Sequence, residues 1–107
     1  AVRRNMKENF YHGMLLGLLQ NKDSWLVKSN AETGEGYSDI SIQTPERTGM
    51  VIELMYAEDG NRETACSEAL KQIEEKKYAE GLKRRGMKKI MKYGIAFWEK
   101  ECVVAMA

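Results

Sequence analysis

The sequence predicts a single α/β domain of the α+β kind, in which helices flank a central sheet. Its 107 residues suit one compact domain and are too few for two. Apolar residues make up 43% of the chain and charged residues 31%, a balance that lets it bury a core and argues against disorder. Helical and strand-like patterns follow one another in the order α-β-β-β-α-β-β.

The first half of the chain predicts one helix and two strands. Apolar residues recur every three or four positions over 4–20, as an amphipathic helix requires. Residues 25–29 read as a first strand, and a glycine-containing loop follows at 30–36. Residues 37–43 alternate with period two, which predicts a second strand.

The second half predicts a strand, a helix and a hairpin. Residues 50–57 are rich in β-branched and apolar side chains, and their short connection to the preceding strand indicates an antiparallel pair. A helix is predicted over 63–78. Residues 87–97 and 101–105 then read as two further strands joined by a hairpin.

Two carboxylates in the central hairpin are candidate metal ligands. Residues two apart on a strand share a face, so Asp39 points away from Ile40, and Glu53 points away from Ile52 and Leu54. Two ionised carboxylates brought together repel, and Mg²⁺ or Mn²⁺, which prefer hard oxygen ligands, relieve that repulsion. Without a metal, Glu53 can be an ordinary exposed residue of its strand, and Asp39 can be a turn-forming residue at a strand edge.

Five segments together carry a resemblance to a known family. They lie at residues 8–19, 28–40, 51–55, 69–78 and 92–97. The order of these segments resembles the PD-(D/E)XK nuclease superfamily. It begins with a helix that carries a glutamate and a strand with Asp. A strand with Glu at the place of a Glu-x-Lys motif follows, and then a helix and a further strand. The closer similarity is to the nuclease-like domain found C-terminal to a predicted AAA-type ATPase in many bacterial proteins.

The resemblance implies a restriction-endonuclease-like core with a mixed sheet and Mg²⁺- or Mn²⁺-dependent hydrolysis of nucleic acid. Asp39 and Glu53 resemble the motif metal ligands, and Glu8 resembles an additional acidic residue that holds metal or water. Gln72 resembles the glutamine that lies beside the site, and Tyr78 follows it toward the same cleft. An AAA-type ATPase domain elsewhere in a longer chain is the implied partner.

Each of the supporting residues also has a structural explanation. Glu8 lies four residues before His12, so an ordinary helix-surface pair accounts for it, and His12 itself reads as a packing or hydrogen-bonding residue. Gln72 shares a helix face with Ala69 and can satisfy buried backbone groups as an amide. Tyr78 can be a core aromatic residue at a helix end.

Met55 departs from the family pattern, which expects lysine at this position. Methionine has no charge and donates no hydrogen bond, whereas a lysine there stabilises developing negative charge. Loss of such a group typically lowers the rate by about 10²–10³. Three explanations remain open: a degenerate fold that binds without cutting, a migrated lysine (Lys28 first, Lys76 second), or a local substitution in an active lineage.

The charge distribution and the cysteines indicate which partners and which thiol chemistry to expect. The formal net charge of +1 gives no overall attraction to nucleic acid, but six cations cluster at Lys83, Arg84, Arg85, Lys88, Lys89 and Lys92. This run, with Lys88 as its candidate nucleic-acid contact, can bind phosphates or simply be a charged helix end and strand start. Cys66 and Cys102 read as reduced thiols of a cytoplasmic protein, without metal-binding spacing.

The sequence also sets expectations for location and assembly. No apolar run is long enough to span a membrane, and no secretory signal is visible. We expect a cytoplasmic domain over residues 1–107, excised from a longer chain. The strands at the sheet edges are compatible with a homodimer.

Overall fold

The computed structural model describes residues 2–20, 22–29, 38–57, 59–76, 78–99 and 101–107. These residues form a five-stranded sheet with helices on both sides, and the predicted α+β class is confirmed. The helices are α1 (Val2–Leu19), α2 (Arg62–Lys76) and α3 (Tyr78–Arg84). The strands are β1 (Leu26–Ser29), β2 (Ser38–Gln43), β3 (Thr48–Tyr56), β4 (Lys89–Trp98) and β5 (Glu101–Met106).

The strands lie in the sheet in chain order, β1-β2-β3-β4-β5. Consecutive strands pair antiparallel except β3 and β4, which run parallel, so the sheet is mixed. The predicted hairpins β2–β3 and β4–β5 are confirmed. A parallel pair needs a crossover connection, which α2 and α3 provide.

The two faces of the sheet carry separate parts of the core. On one face, the predicted cluster of Ile40, Ile42, Ile52 and Leu54 is confirmed, and Leu15, Leu16 and Leu19 of α1 pack against it. We call this the α1 face. The opposite face, here called the α2 face, carries Val51 and Met55. Val51 packs with Ile73 and Leu82, and Met55 packs with Ala65, Cys66 and Ala96.

The helical segment after β3 differs from the sequence prediction. One helix was expected over 63–78, whereas α2 ends at Lys76 and the short helix α3 follows. Leu82 is only 2% exposed and packs on Val51, which explains why a stretch dominated by charge becomes helical. Gly86, with φ 91°, ends this segment in the left-handed conformation that glycine adopts without strain.

Local hydrogen bonds fix where α2 begins. The Asn61 side-chain oxygen accepts a hydrogen bond from the Thr64 backbone N–H at 3.1 Å, as an N-cap residue does. Asp59 in turn accepts one from the Asn61 N–H at 2.9 Å.

Among the described residues, no helix combines the length and apolar character that crossing a bilayer requires.

Candidate functional site

The backbone register places the two candidate metal ligands side by side. Asp39 of β2 is the direct partner of Glu53 of β3, and Glu53 in turn pairs with Gly94 of β4. Directly opposite residues of an antiparallel pair have Cβ atoms about 4.5–5.5 Å apart on the same face. We call Asp39, Glu53 and Gly94 the carboxylate row. The side chain of Asp39 itself lies outside the described residues.

Glu53 is fully buried on the α2 face, with 0% exposure. Its neighbours along the strand on this face, Val51 and Met55, are 0% and 1% exposed. An ionised carboxylate at such a depth is stable only when hydrogen bonds or a positive charge compensate its lost hydration. A glutamate at this position therefore differs from the ordinary exposed strand residue that the sequence also allowed.

Glycine at position 94 lets α2 pass close to the carboxylate row. A Cβ atom at Gly94 would lie 2.7 Å from the Cys66 carbonyl oxygen and 3.2 Å from the Ala69 Cβ. Helix α2 packs across β3, β4 and β5 on this face. Helix α2 therefore covers Glu53 from the β4 side, because residue 94 has no side chain that would keep the helix at a distance.

Met55 lies between the apolar core and a surface cleft. The cleft has a volume of about 220 Å³ and opens between the end of β3 and the start of α2. Its lining includes Met55, Ala57, Asp59, Asn61, Thr64 and Glu68. Since Met55 is two residues from Glu53 on the same face, a lysine at 55 would bury its aliphatic stem in the core beside this cleft.

Helix α1, which carries Glu8, packs on the face opposite to Glu53. The side chain of Glu8 is outside the described part of the chain, so the structure leaves its predicted role untested. His12, one turn further on, is buried, and its Nε2 lies 2.6 Å from the Ser29 Oγ of β1. Burial lowers the pKa of His12, which favours the neutral ring. This agrees with its interpretation as a hydrogen-bonding residue of the helix.

Four candidates remain: Gln72, Lys28, Tyr78 and Lys76. Gln72 is half-buried on α2, one helical turn beyond Ala69, and makes no hydrogen bond with another described residue. Lys28 is exposed on β1 and pairs with Ser41, so both residues share a face with Asp39. Tyr78 begins α3 and Lys76 ends α2, and the side chains of both lie outside the described part of the structure.

The predicted basic run divides into two parts. Lys92 of β4 forms an ion pair with Glu74 of α2, which ties strand and helix together. The other five cations are exposed, at the end of α3, in the connection that follows it and at the start of β4: Lys83, Arg84, Arg85, Lys88 and Lys89. Lys92 is thus the structural member of the run, and Lys88 belongs to the exposed part.

Two features of the site could not be identified from the sequence. Asp59 and Glu68 line the cleft beside Met55, yet one lies in a loop and the other on an otherwise ordinary charged helix. Arg47, in the β2–β3 turn, lies beside Lys88 and Lys89 and accepts backbone hydrogen bonds from both. Only the pairing of distant segments brings these residues together.

A divalent metal fits the carboxylate row by the chemistry of its donors. Asp39 and Glu53 supply hard carboxylate oxygens from directly paired positions, the donor type that Mg²⁺ and Mn²⁺ prefer. A dication would also compensate the burial of the Glu53 carboxylate. Within the described residues, no group of three or more His, Cys, Asp or Glu side chains is arranged to hold a metal, and the side chains of Asp39 and Glu8 lie outside that part of the chain. Mg²⁺ usually retains several waters and is commonly bound through one or two carboxylates.

A mixed sheet with helices on both faces, and a buried glutamate whose strand partner is an aspartate, are features of a nuclease-like α+β domain. The family model of the PD-(D/E)XK nuclease superfamily matches residues 6–106, and the chain belongs to this superfamily. No curated protein and no solved structure matches the chain.

Proposed function

We propose that this domain is a metal-dependent nuclease that hydrolyses phosphodiester bonds of nucleic acid at the carboxylate row. The observation that carries the proposal is the direct pairing of Asp39 with Glu53, one of which is fully buried, in a chain of the PD-(D/E)XK superfamily. Members of this superfamily generally use divalent metals. Membership supports the reaction class, and the register supports the choice of residues.

In this proposal Asp39 and Glu53 are the two protein ligands that hold Mg²⁺ or Mn²⁺. The bound metal would polarise the phosphodiester and stabilise the charge that develops on its oxygens. Burial of Glu53 keeps its oxygens in a medium of lower dielectric constant, where the attraction to a cation is stronger than in water. Helix α2 covers Glu53 from the β4 side, so the substrate would approach from the side of β1 and β2.

Lys28 is proposed to supply the positive charge that Met55 does not. Its register partner Ser41 is two residues from Asp39 on the same strand, so Lys28 lies on the same face, one step along the sheet. The side chain is exposed and its ammonium group can turn toward the carboxylate row. Lys76 is the second candidate for this role.

Three further residues are proposed to contact the nucleic acid. Gln72, on the covering helix, offers an amide that can both donate and accept hydrogen bonds beside the carboxylate row. Tyr78 offers an aromatic ring on which a base can stack. Lys88 offers a charge to a phosphate further from the cleavage point.

A second candidate function is a non-catalytic binding module, attached to an AAA-type ATPase as the resemblance implies. The observation that favours it is the position of Met55, which is 1% exposed and packs with Ala65, Cys66 and Ala96. A site in which a buried methionine replaces the motif lysine is expected to have a lower cleavage rate while the fold is kept.

The test compares the native chain with Met55→Lys, Glu53→Gln, Lys28→Ala and Glu75→Ala, and measures cleavage with Mn²⁺ and binding at low salt on single- and double-stranded DNA and RNA. Glu75→Ala is the matched control, because Glu75 is exposed and its carboxylate lies 4.0 Å from the Lys71 ammonium group. Circular dichroism establishes that each variant is folded.

Each outcome decides between the candidates. Native cleavage that Glu53→Gln and Lys28→Ala both abolish supports the nuclease with a migrated lysine. Cleavage that Met55→Lys raises by about 10²–10³ supports a degenerate site. Cleavage that survives Glu53→Gln rejects the assigned metal site, and the absence of both cleavage and binding at low salt rejects both functions.

A further inference from the structure

We propose that six exposed cations at one end of the sheet form a surface that binds the phosphate backbone of nucleic acid. They come from the β2–β3 turn, from α3 and from the turn before β4, and we call them the basic end: Arg47, Lys83, Arg84, Arg85, Lys88 and Lys89. The inference rests on the proposed function, because it gives the substrate of the carboxylate row a second point of attachment.

Backbone hydrogen bonds hold the two turns of the basic end together. The Arg47 carbonyl accepts hydrogen bonds from the Lys88 N–H at 2.8 Å and from the Lys89 N–H at 3.3 Å. The next residue of β3, Thr48, pairs with Lys89 in the sheet. Cations that are far apart in the sequence are therefore fixed beside one another by the fold.

Arg47 occupies a turn position whose backbone conformation is unfavourable for a residue with a side chain. Its φ of 66° lies in the left-handed region, where a residue with a Cβ is strained and glycine is not. The turn itself is held by the Thr44 hydroxyl, which accepts a hydrogen bond from the Thr48 N–H at 3.1 Å. Asparagine or glycine would fit this turn with less strain, but neither carries a charge.

The charges of the basic end are not neutralised locally. None of its six cations forms an ion pair with another residue that the structure describes, in contrast to Arg62, Lys71 and Lys92, which pair with Glu101, Glu75 and Glu74. The exposed carboxylates close to these cations in the chain are Glu46 and Glu80. Because the whole chain has a formal net charge of only +1, the rest of the molecule is net acidic, and the positive charge is concentrated here.

The basic end lies at a useful distance from the carboxylate row. Glu53 is five residues along β3 from Thr48, the strand partner of Lys89, which corresponds to roughly 17 Å. One strand of a duplex advances about 3.4 Å per nucleotide, so this is about five base steps. Helix α3 packs on the α2 face through Leu82 and Val51, and Lys28 lies on that face between the two sites.

The test compares two variants that lose the same charge. Lys88→Gln/Lys89→Gln removes two cations of the basic end, and Lys22→Gln/Lys71→Gln removes two exposed cations elsewhere. Binding of a fluorescent duplex DNA, and of the matching RNA, is measured by anisotropy without divalent metal between about 50 and 200 mM salt. The slope of log affinity against log salt is expected to fall by about 2 in the basic-end variant and to stay unchanged in the control.

The outcomes separate this proposal from the proposed function. Equal slopes for both variants would overturn the basic end as a phosphate-binding surface, whatever the cleavage assays show. Tighter binding of anionic lipid vesicles or heparin than of nucleic acid would overturn the choice of partner. Glu53→Gln is expected to abolish cleavage without changing the salt slope, so a failed nuclease assignment leaves this measurement intact.

Discussion

Substitution of Gly94 by alanine tests whether α2 closes directly onto the sheet beside Glu53. The added Cβ would lie 2.7 Å from the Cys66 carbonyl oxygen, closer than non-bonded carbon and oxygen atoms approach. It would also lie 3.2 Å from the Ala69 Cβ and 3.2 Å from the Leu70 Cγ. The nearest atom belongs to helix backbone, so relief requires α2 to move as a unit.

The expected magnitude follows from two opposing effects. Forcing an extra methyl group into a packed interior typically costs about 1–3 kcal/mol. Alanine restricts the unfolded chain more than glycine, which offsets about 0.4–1 kcal/mol of that cost. We therefore expect a net destabilisation of about 1–2 kcal/mol, which corresponds to a lowering of Tm by roughly 5–15 °C for a domain near 100 residues.

The assay is thermal and urea unfolding followed by circular dichroism, with Gly13→Ala as the matched control. Gly13 lies in α1, and a Cβ there would meet nothing within 4 Å. Its replacement is expected to raise stability by about 0.5–1 kcal/mol, because alanine is the better helix former. A Gly94→Ala variant as stable as the native chain would refute the close approach of α2 to β4.

Two further predictions concern titrating groups. Burial lowers the pKa of His12 in the folded state, so below about pH 6.5 the unfolded chain binds a proton that the folded chain resists. The contribution of neutral His12 to the free energy of unfolding is therefore expected to be fully present above that pH and to be lost as the pH decreases. His12→Gln should flatten this pH dependence in urea titrations between pH 5 and 8. An unchanged pH dependence would contradict the prediction. Burial also raises the pKa of the Cys66 thiol, which donates to the Val103 carbonyl at 3.2 Å, whereas Cys102 is exposed. A maleimide reagent is expected to modify Cys102 rapidly and Cys66 only on unfolding, as mass spectrometry of the Cys102→Ser variant can check.

Much of the fold was predictable because its signals are local. The alternation around Ile40 and Ile42, and the short connection to Ile52, predicted the hairpin and the core of the α1 face. The same alternation placed Glu53 on the other face. It did not predict that this second face is also a core, because Val51 and Met55 are buried by helices that follow them in the chain.

The unpredicted features depend on residues far apart in sequence. Helix α3 was missed because Leu82, the most deeply buried of its described residues, lies among cations that read as a helix end and strand start. The cleft beside Met55 exists only where the end of β3 meets the start of α2. Arg47 gave no sequence signal, since its neighbours Lys88 and Lys89 reach it through the parallel pairing of β3 with β4.

The register of the carboxylate row has a consequence for the order of folding. Asp39 and Glu53 belong to a local hairpin, whereas the pairing of Glu53 with Gly94 and the docking of α2 close a much longer loop of chain. Local contacts form sooner than distant ones, because less chain entropy is lost in closing them. We therefore expect the two carboxylates to meet while both are still hydrated, and Glu53 to lose its water only when α2 docks. If the proposed metal site is correct, a divalent cation present during refolding would then bind before the interior closes over Glu53.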